Sequence, residues 1–293
     1  MGSATVRAMT TPTYESTSRT VDVDGAKMHY HELGAGPTLL FLHGSGPGVT
    51  GWANFSSNLP HFAQHFRCLV LDFPGYGKSD AVDGDPITAC TTAVPKFLEA
   101  LGVERTHLIG NSLGGQIASL VAAKVPERVD RLVCLGGIGL NIFSPFPAEG
   151  LNLITEFTEN PTRERIAQWL QSMVFDPSFV TEEMIDERFK QATEPATAAT
   201  MRKMYSRKSL EFMAKFRRGP KTTMAIAHLA SIQAPTLLTW GRDDRVNPLD
   251  SALLPMRLIP SCELHVFPNC GHWVMLEQKQ AFESVTTAFL LRS

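Results

Sequence analysis

The chain has 293 residues, 43% of them hydrophobic, and its 27 basic and 29 acidic side chains leave a formal charge of -2. That length can bury a sizeable core, as one large α/β domain or a domain with an insertion, and the near-neutral balance lacks the basic excess of a nucleic-acid binder. No apolar run is long enough to span a bilayer, residues 1–19 lack the apolar core of a secretory signal, and the five scattered cysteines read as reduced thiols of a cytoplasmic protein.

Residues 1–13 read as a flexible leader. Residues 19–33 alternate around Asp24-Gly25, the pattern of a β-hairpin. Residues 37–42 are a short continuous apolar run, as in a buried parallel strand, and end in His43-Gly44-Ser45-Gly46-Pro47-Gly48. A helix is expected from about Trp52. The next buried strand, 66–71, ends in a turn-rich loop over 72–80, and 88–101 has helical spacing. A strand at 106–109 runs through Gly110-Asn111-Ser112-Leu113-Gly114-Gly115 into helical spacing over 117–123, and another strand at 131–135 ends in Gly136-Gly137. Strands alternating with helices in this way indicate a mostly parallel central sheet with helices on both faces, an α/β fold.

From 140 to 218 the pattern is helical with no strand. One helix is expected to open at Pro161, capped by Asn160, and to run to 174. A second spans 181–191 behind the cap Thr181, and at least one more lies within 194–216. This block is expected to be an inserted all-helical lid (140–218) between two parts of the α/β core (14–139 and 219–293). Its methionines, Met173, Met184, Met201, Met204 and Met213, either line an adaptable pocket or are plain core. The strand–helix rhythm resumes at 235–240, ahead of Gly241-Arg242-Asp243-Asp244. A helix follows from 249, the last strand is 264–267, and a closing helix runs over 278–292 after Gly271-His272-Trp273.

Gly110, Ser112 and Gly114 fit G-x-S-x-G, the nucleophile elbow of the α/β-hydrolase fold, although a serine before a helix is by itself equally a plain N-cap. Three candidate catalytic groups follow three separate strands: Ser112, Asp244 and His272. The strand ends of a parallel sheet share the edge where ligands bind, and the order Ser, Asp, His is that of the α/β-hydrolases. A serine hydroxyl needs a base, and the base needs an acid to hold its tautomer. Spacing alone does not separate Asp243 from Asp244. The backbone N–H groups of Leu113 and Ser45 are candidates for an oxyanion hole. A competing motif, Gly46-x-Gly48-x-x-Gly51 with Asp72 beyond it, fits a dinucleotide site and makes a nicotinamide-dependent enzyme the rival on local grounds.

Taken together, Gly44 to Gly48 with Trp52-Ala53-Asn54, the elbow, the loop 240–250 and the stretch 264–273 resemble the meta-cleavage product hydrolases, carbon–carbon bond hydrolases of the α/β-hydrolase fold. The similarity covers about 14–292. The leader segment 15–25 looks most like steroid-degradation members, with the biphenyl-pathway members also near, whereas Ser45 is more like members that handle alkyl-substituted products. The resemblance implies a substrate of the 2-hydroxy-6-oxo-hexa-2,4-dienoate type, no cofactor, no metal, and a homo-oligomer (dimer or dimer of dimers). It implies Ser112 as nucleophile, His272 as acid/base, Asp244 as its orienter, and Ser45 and Leu113 as oxyanion donors. It also implies Arg188 as the grip on the substrate carboxylate, with Asn54, Asn111 and Trp273 around the dienoate. Leu153, Trp169, Met173 and Phe175 are expected to set the far side of the pocket. A carboxylesterase or thioesterase would use the same triad, and a ligand-binding sensor could share the fold.

Overall fold

The computed structural model describes residues 12–219 and 222–292; the expected leader lies, through residue 11, outside the described residues. Eight strands, β1 (Ser18–Val23), β2 (Ala26–Leu33), β3 (Thr38–Leu42), β4 (Arg67–Leu71), β5 (Thr106–Asn111), β6 (Val129–Leu135), β7 (Thr236–Gly241) and β8 (Cys262–Phe267), form one sheet. Their order is β1-β2-β4-β3-β5-β6-β7-β8. The β1–β2 and β2–β4 pairs are antiparallel and all others parallel. The β1–β2 turn carries positive φ at Asp24 (53°) and Gly25 (84°), the conformation a two-residue hairpin demands.

The unbroken apolar runs follow from burial on both faces. Successive side chains of a strand point to opposite sides. Leu40 and Leu42 of β3 therefore join one core with Leu69, Leu108 and Leu132, while Leu39 and Phe41 join the other with Val70, Ile109 and Val133. Helices Pro86–Ala100 and Leu113–Lys124 cover the first face, and Lys279–Leu290 covers part of the second. Among the described residues no helix is long and apolar enough to cross a membrane.

Between β6 and β7 lie five helices, Glu149–Glu159, Arg163–Ser172, Glu182–Ala192, Pro195–Tyr205 and Arg207–Arg217, and no strand among the described residues. One sequence expectation needs correcting here. Asn160 does not cap the helix after it but ends Glu149–Glu159, a helix the spacing had not separated. The cap of Arg163–Ser172 is Thr162, whose side chain accepts from Arg165 N–H. Thr181 caps Glu182–Ala192 as expected, accepting from Met184 N–H. The stretch 194–216 is two helices, because Ser206 turns the chain and caps the second.

Candidate active site

Ser112 stands between β5 and the helix Leu113–Lys124 with φ 53° and ψ -115°, a left-handed conformation that is costly for a residue with a Cβ. Neighbouring chain segments hold it there. Ser112 N–H donates to Leu135 O on β6 at 2.8 Å. A Cβ on Gly110 would lie 2.2 Å from Gly114 O, and one on Gly114 would lie 2.0 Å from Leu42 O, so only glycines let strand and helix cross. The plain N-cap alternative fails on geometry, since the Ser112 hydroxyl makes no capping bond.

The acid and base arrive from the next strand ends. Asp244, after β7, accepts Val246 N–H and Asn247 N–H on Oδ1, both at 2.8 Å, which fixes the carboxylate and leaves Oδ2 for His272 Nδ1–H at 2.7 Å. Both side chains are buried. This bond puts the proton of the neutral ring on Nδ1 and leaves Nε2 as the acceptor. His272 Nε2 is buried and makes no hydrogen bond with any described residue. Asp243, the competing acid, turns away and pairs with Arg242 at 3.1 Å. The backbone of His272 is tied to the helical block by its N–H to Met173 O, 2.7 Å.

The loop after β3 is braced from both sides. His43 Nδ1–H donates to Gly44 O at 2.6 Å while its Nε2 accepts Phe73 N–H at 3.0 Å, and full burial lowers its pKa and keeps it neutral. Gly44 N–H donates to Asn54 Oδ1 at 2.8 Å. The N–H groups of Ser45 and Leu113 donate to no other described residue, so both are free for a ligand atom. The Ser45 hydroxyl forms a short hydrogen bond with Tyr205 of the helical block.

The glycines and Asp72 that suggested a dinucleotide site serve other purposes. Gly46 lies against Trp169, and Gly48 against Gln191 and Arg188, so their missing side chains admit the helical block. Asp72 is fully buried and its carboxylate is consumed by Gly51 N–H at 2.7 Å, His29 Nδ1–H at 2.8 Å and Lys78 N–H at 3.2 Å. Fully buried and already accepting three hydrogen bonds, this carboxylate is out of reach of a ribose hydroxyl, which overturns that reading.

Of the nine expected site residues, all but Asp244 line one cavity of about 570 Å³, and Asp244 sits behind His272. Asn111 is buried and donates to Leu135 O at 3.3 Å. Arg188 is buried, yet among the described residues it donates only to Pro47 O, at 3.3 Å, and pairs with no carboxylate; burial brings its pKa down from 12.5 to about 10. An uncompensated buried guanidinium in a cavity is a site for an anion. Trp169, Met173, Met204 and Met213 line the cavity, but Leu153, Phe175, Met184 and Met201 do not. Leu153 packs against the second core and Phe175 is 45% exposed. Residues the sequence did not single out also take part: His43, Tyr205 and Arg217. His43 stands inside a quoted motif and was legible in principle; nothing local marks Tyr205 or Arg217.

The arrangement can move a proton between a ligand and His272 Nε2, stabilise negative charge at two N–H groups, and hold a carboxylate on Arg188. A family model described as "alpha/beta hydrolase fold" matches residues 37–279. The chain is 38% identical over 292 residues to a 2-hydroxy-6-oxononadienedioate/2-hydroxy-6-oxononatrienedioate hydrolase of Burkholderia vietnamiensis, covering 96% of this chain and 98% of the relative. It is 36% identical over 270 residues to a 2-hydroxy-6-oxo-6-phenylhexa-2,4-dienoate hydrolase of Burkholderia cepacia, covering 90% and 91%. A solved meta-cleavage product hydrolase from Pseudomonas fluorescens superimposes with a TM-score of 0.83 at 28% identity, covering 94% of this chain and 97% of that one.

Proposed function

Since the chain belongs to the meta-cleavage product hydrolases of the alpha/beta hydrolase fold, we propose that it cleaves the C5–C6 bond of a 2-hydroxy-6-oxo-hexa-2,4-dienoate. The products are 2-hydroxypenta-2,4-dienoate and a carboxylic acid. The observation that carries this beyond general ester hydrolysis is Arg188, a buried guanidinium that lines the cavity Ser112 and His272 share and is paired with no carboxylate among the described residues. An esterase of neutral substrates has no use for it.

In this reading Arg188 holds the C1 carboxylate, and Asn54, Asn111 and Trp273 surround the dienoate. Ketonisation moves the proton of the 2-hydroxyl to C5, leaving a 2,6-diketone. With His272 Nε2 taking its proton, Ser112 Oγ adds to C6, and the oxyanion forms at Ser45 N–H and Leu113 N–H. The C5–C6 bond then breaks, its electron pair flows to the C2 oxygen, and the dienolate is protonated by His272. Water activated by the same ring releases the acid from Ser112. Asp244 keeps Nδ1 protonated throughout. Residues 140–218 act as a lid over this site. The family resemblance supports a homo-oligomer, and five free thiols support work in the cytoplasm.

The test follows the dienol chromophore. Bleaching on addition of the protein, lost in Ser112→Ala and in His272→Ala, is the expected result. Turnover of simple esters without bleaching of any dienoate would return the site to the carboxylesterase reading.

A further inference from the structure

The two candidate oxyanion donors are held by different means. Leu113 N–H stands at the start of the helix Leu113–Lys124, where strand and helix fix it. Ser45 lies between β3 and the helix Gly51–Phe55, in His43-Gly44-Ser45-Gly46-Pro47-Gly48, with a glycine on either side. Glycines leave the backbone free, so nothing in the local chain aims the Ser45 N–H. The loop nevertheless runs beside the nucleophile: a Cβ on Gly44 would lie 3.5 Å from Ser112 Cβ. The direction of this donor must come from side chains that hold the loop.

Gly44 is held from within the core, by Asn54 Oδ1 on its N–H. Ser45 is held from the helical block. Its hydroxyl bonds to that of Tyr205, the last residue of Pro195–Tyr205, and this is the only hydrogen bond Ser45 makes among the described residues. The phenol is the more acidic hydroxyl and donates to Ser45 Oγ. Burial raises its pKa, so it keeps its proton. Ser45 is buried and Tyr205 half-buried, both on the wall of the cavity that holds Ser112 and His272. Seating the helical block does not depend on this bond. The neighbouring Met204 accepts Tyr76 O–H on its sulfur at 3.2 Å, Arg188 donates to Pro47 O at 3.3 Å, and Met173 O accepts His272 N–H at 2.7 Å. The Tyr205 hydroxyl is surplus as a tether, and its one partner is Ser45.

We propose that Tyr205 is a positioning residue of the oxyanion hole: it turns Ser45 so that the backbone N–H of that residue faces the oxygen of the tetrahedral intermediate on Ser112. The hole is then complete only while Pro195–Tyr205 sits on the loop after β3. This rests on the nucleophilic reading above. It places the effect of Tyr205 on the step in which a full negative charge forms on the C6 oxygen, and not on the grip of the substrate carboxylate, which belongs to Arg188.

The experiment is a double-mutant cycle on the wild type, Tyr205→Phe, Ser45→Ala and the two together, with thermal unfolding to certify that each is folded. The first readout is affinity for phenylboronic acid by calorimetry. Ser112 Oγ gives its lone pair to boron, the hydroxyl proton passes to His272 Nε2, and a boronate oxygen takes the oxyanion position without turnover. The second is kcat and KM for bleaching of a dienol. Tyr205→Phe is expected to weaken boronate binding and lower kcat about 10-fold each at unchanged KM, part of the roughly 10²- to 10³-fold that a lost donor costs. Ser45→Ala should lose a similar factor, and adding Tyr205→Phe to it should change nothing more, because the partner is already gone. Unaltered boronate affinity in Tyr205→Phe, a raised KM at constant kcat, or an equal further loss on the Ser45→Ala background overturns the assignment. A wild type that leaves the boronate unbound overturns the hole and the assignment with it. A wild type that binds boronate but bleaches no dienol overturns the proposed function, while the boronate cycle still decides the role of Tyr205.

Discussion

Replacing Arg188 with Met should weaken catalysis and strengthen the fold at once. Met keeps most of the side-chain volume and removes the charge. Burial lowers the Arg188 pKa from 12.5 to about 10, which at about 1.4 kcal/mol per tenfold change corresponds to roughly 3 kcal/mol of unfavourable charge burial. The substitution also removes the bond to Pro47 O, 3.3 Å long, worth about 1 kcal/mol. The net is a stabilisation of about 1–2 kcal/mol, read as a melting temperature raised by roughly 2–4 °C. Against a dienoate, losing a forked charge-assisted grip on the carboxylate should lower kcat/KM by about 100-fold. Thermal unfolding without substrate and stopped-flow bleaching measure the two quantities on one preparation. A lower melting temperature together with lost activity would make Arg188 a structural brace and refute the reasoning. Unchanged kcat/KM would refute it from the other side.

Asp244→Asn should leave the fold intact but favour the wrong imidazole tautomer, lowering kcat by about 10³- to 10⁴-fold; a kcat near that of the wild type would remove Asp244 from the relay. Gly137→Ala places a methyl 1.8 Å from Ser112 O at a position with φ 78°, so it should abolish bleaching, and retained turnover would mean that the elbow tolerates displacement. Burial lowers the His31 pKa from 6.5 to about 4. The neutral ring is therefore the folded form, and its stabilising share is complete above pH 6.5 and lost as pH falls from about 6.5 to about 4. Urea midpoints for the wild type and His31→Gln should converge across that window on acidification; parallel pH profiles would contradict the assignment.

The central strands were legible because burial on both faces demands unbroken apolar runs such as 37–42 and 235–240, and no local alternative competes. The elbow was legible because its glycines are forced by backbone contacts within one short motif. Helix boundaries in the insertion were not: Asn160 and Thr162 are both good capping residues two positions apart, and tertiary packing chose Thr162.

From sequence alone came the order of Ser112, Asp244 and His272 and their attachment to strand ends, since the chain's periodicity is set by local burial. Spacing did not separate Asp243 from Asp244, for which only the resemblance spoke; the tertiary structure shows which way each carboxylate faces, one pairing with Arg242 and the other with His272. It likewise turned Gly46, Gly48 and Asp72 from a dinucleotide motif into packing and loop bracing. And it brought Arg188 and Arg217 to line one cavity with Ser112, a relation between residues far apart in the chain. Local residue pattern carries burial and turn chemistry; which distant charges meet across a cavity is fixed only when the strands are laid side by side.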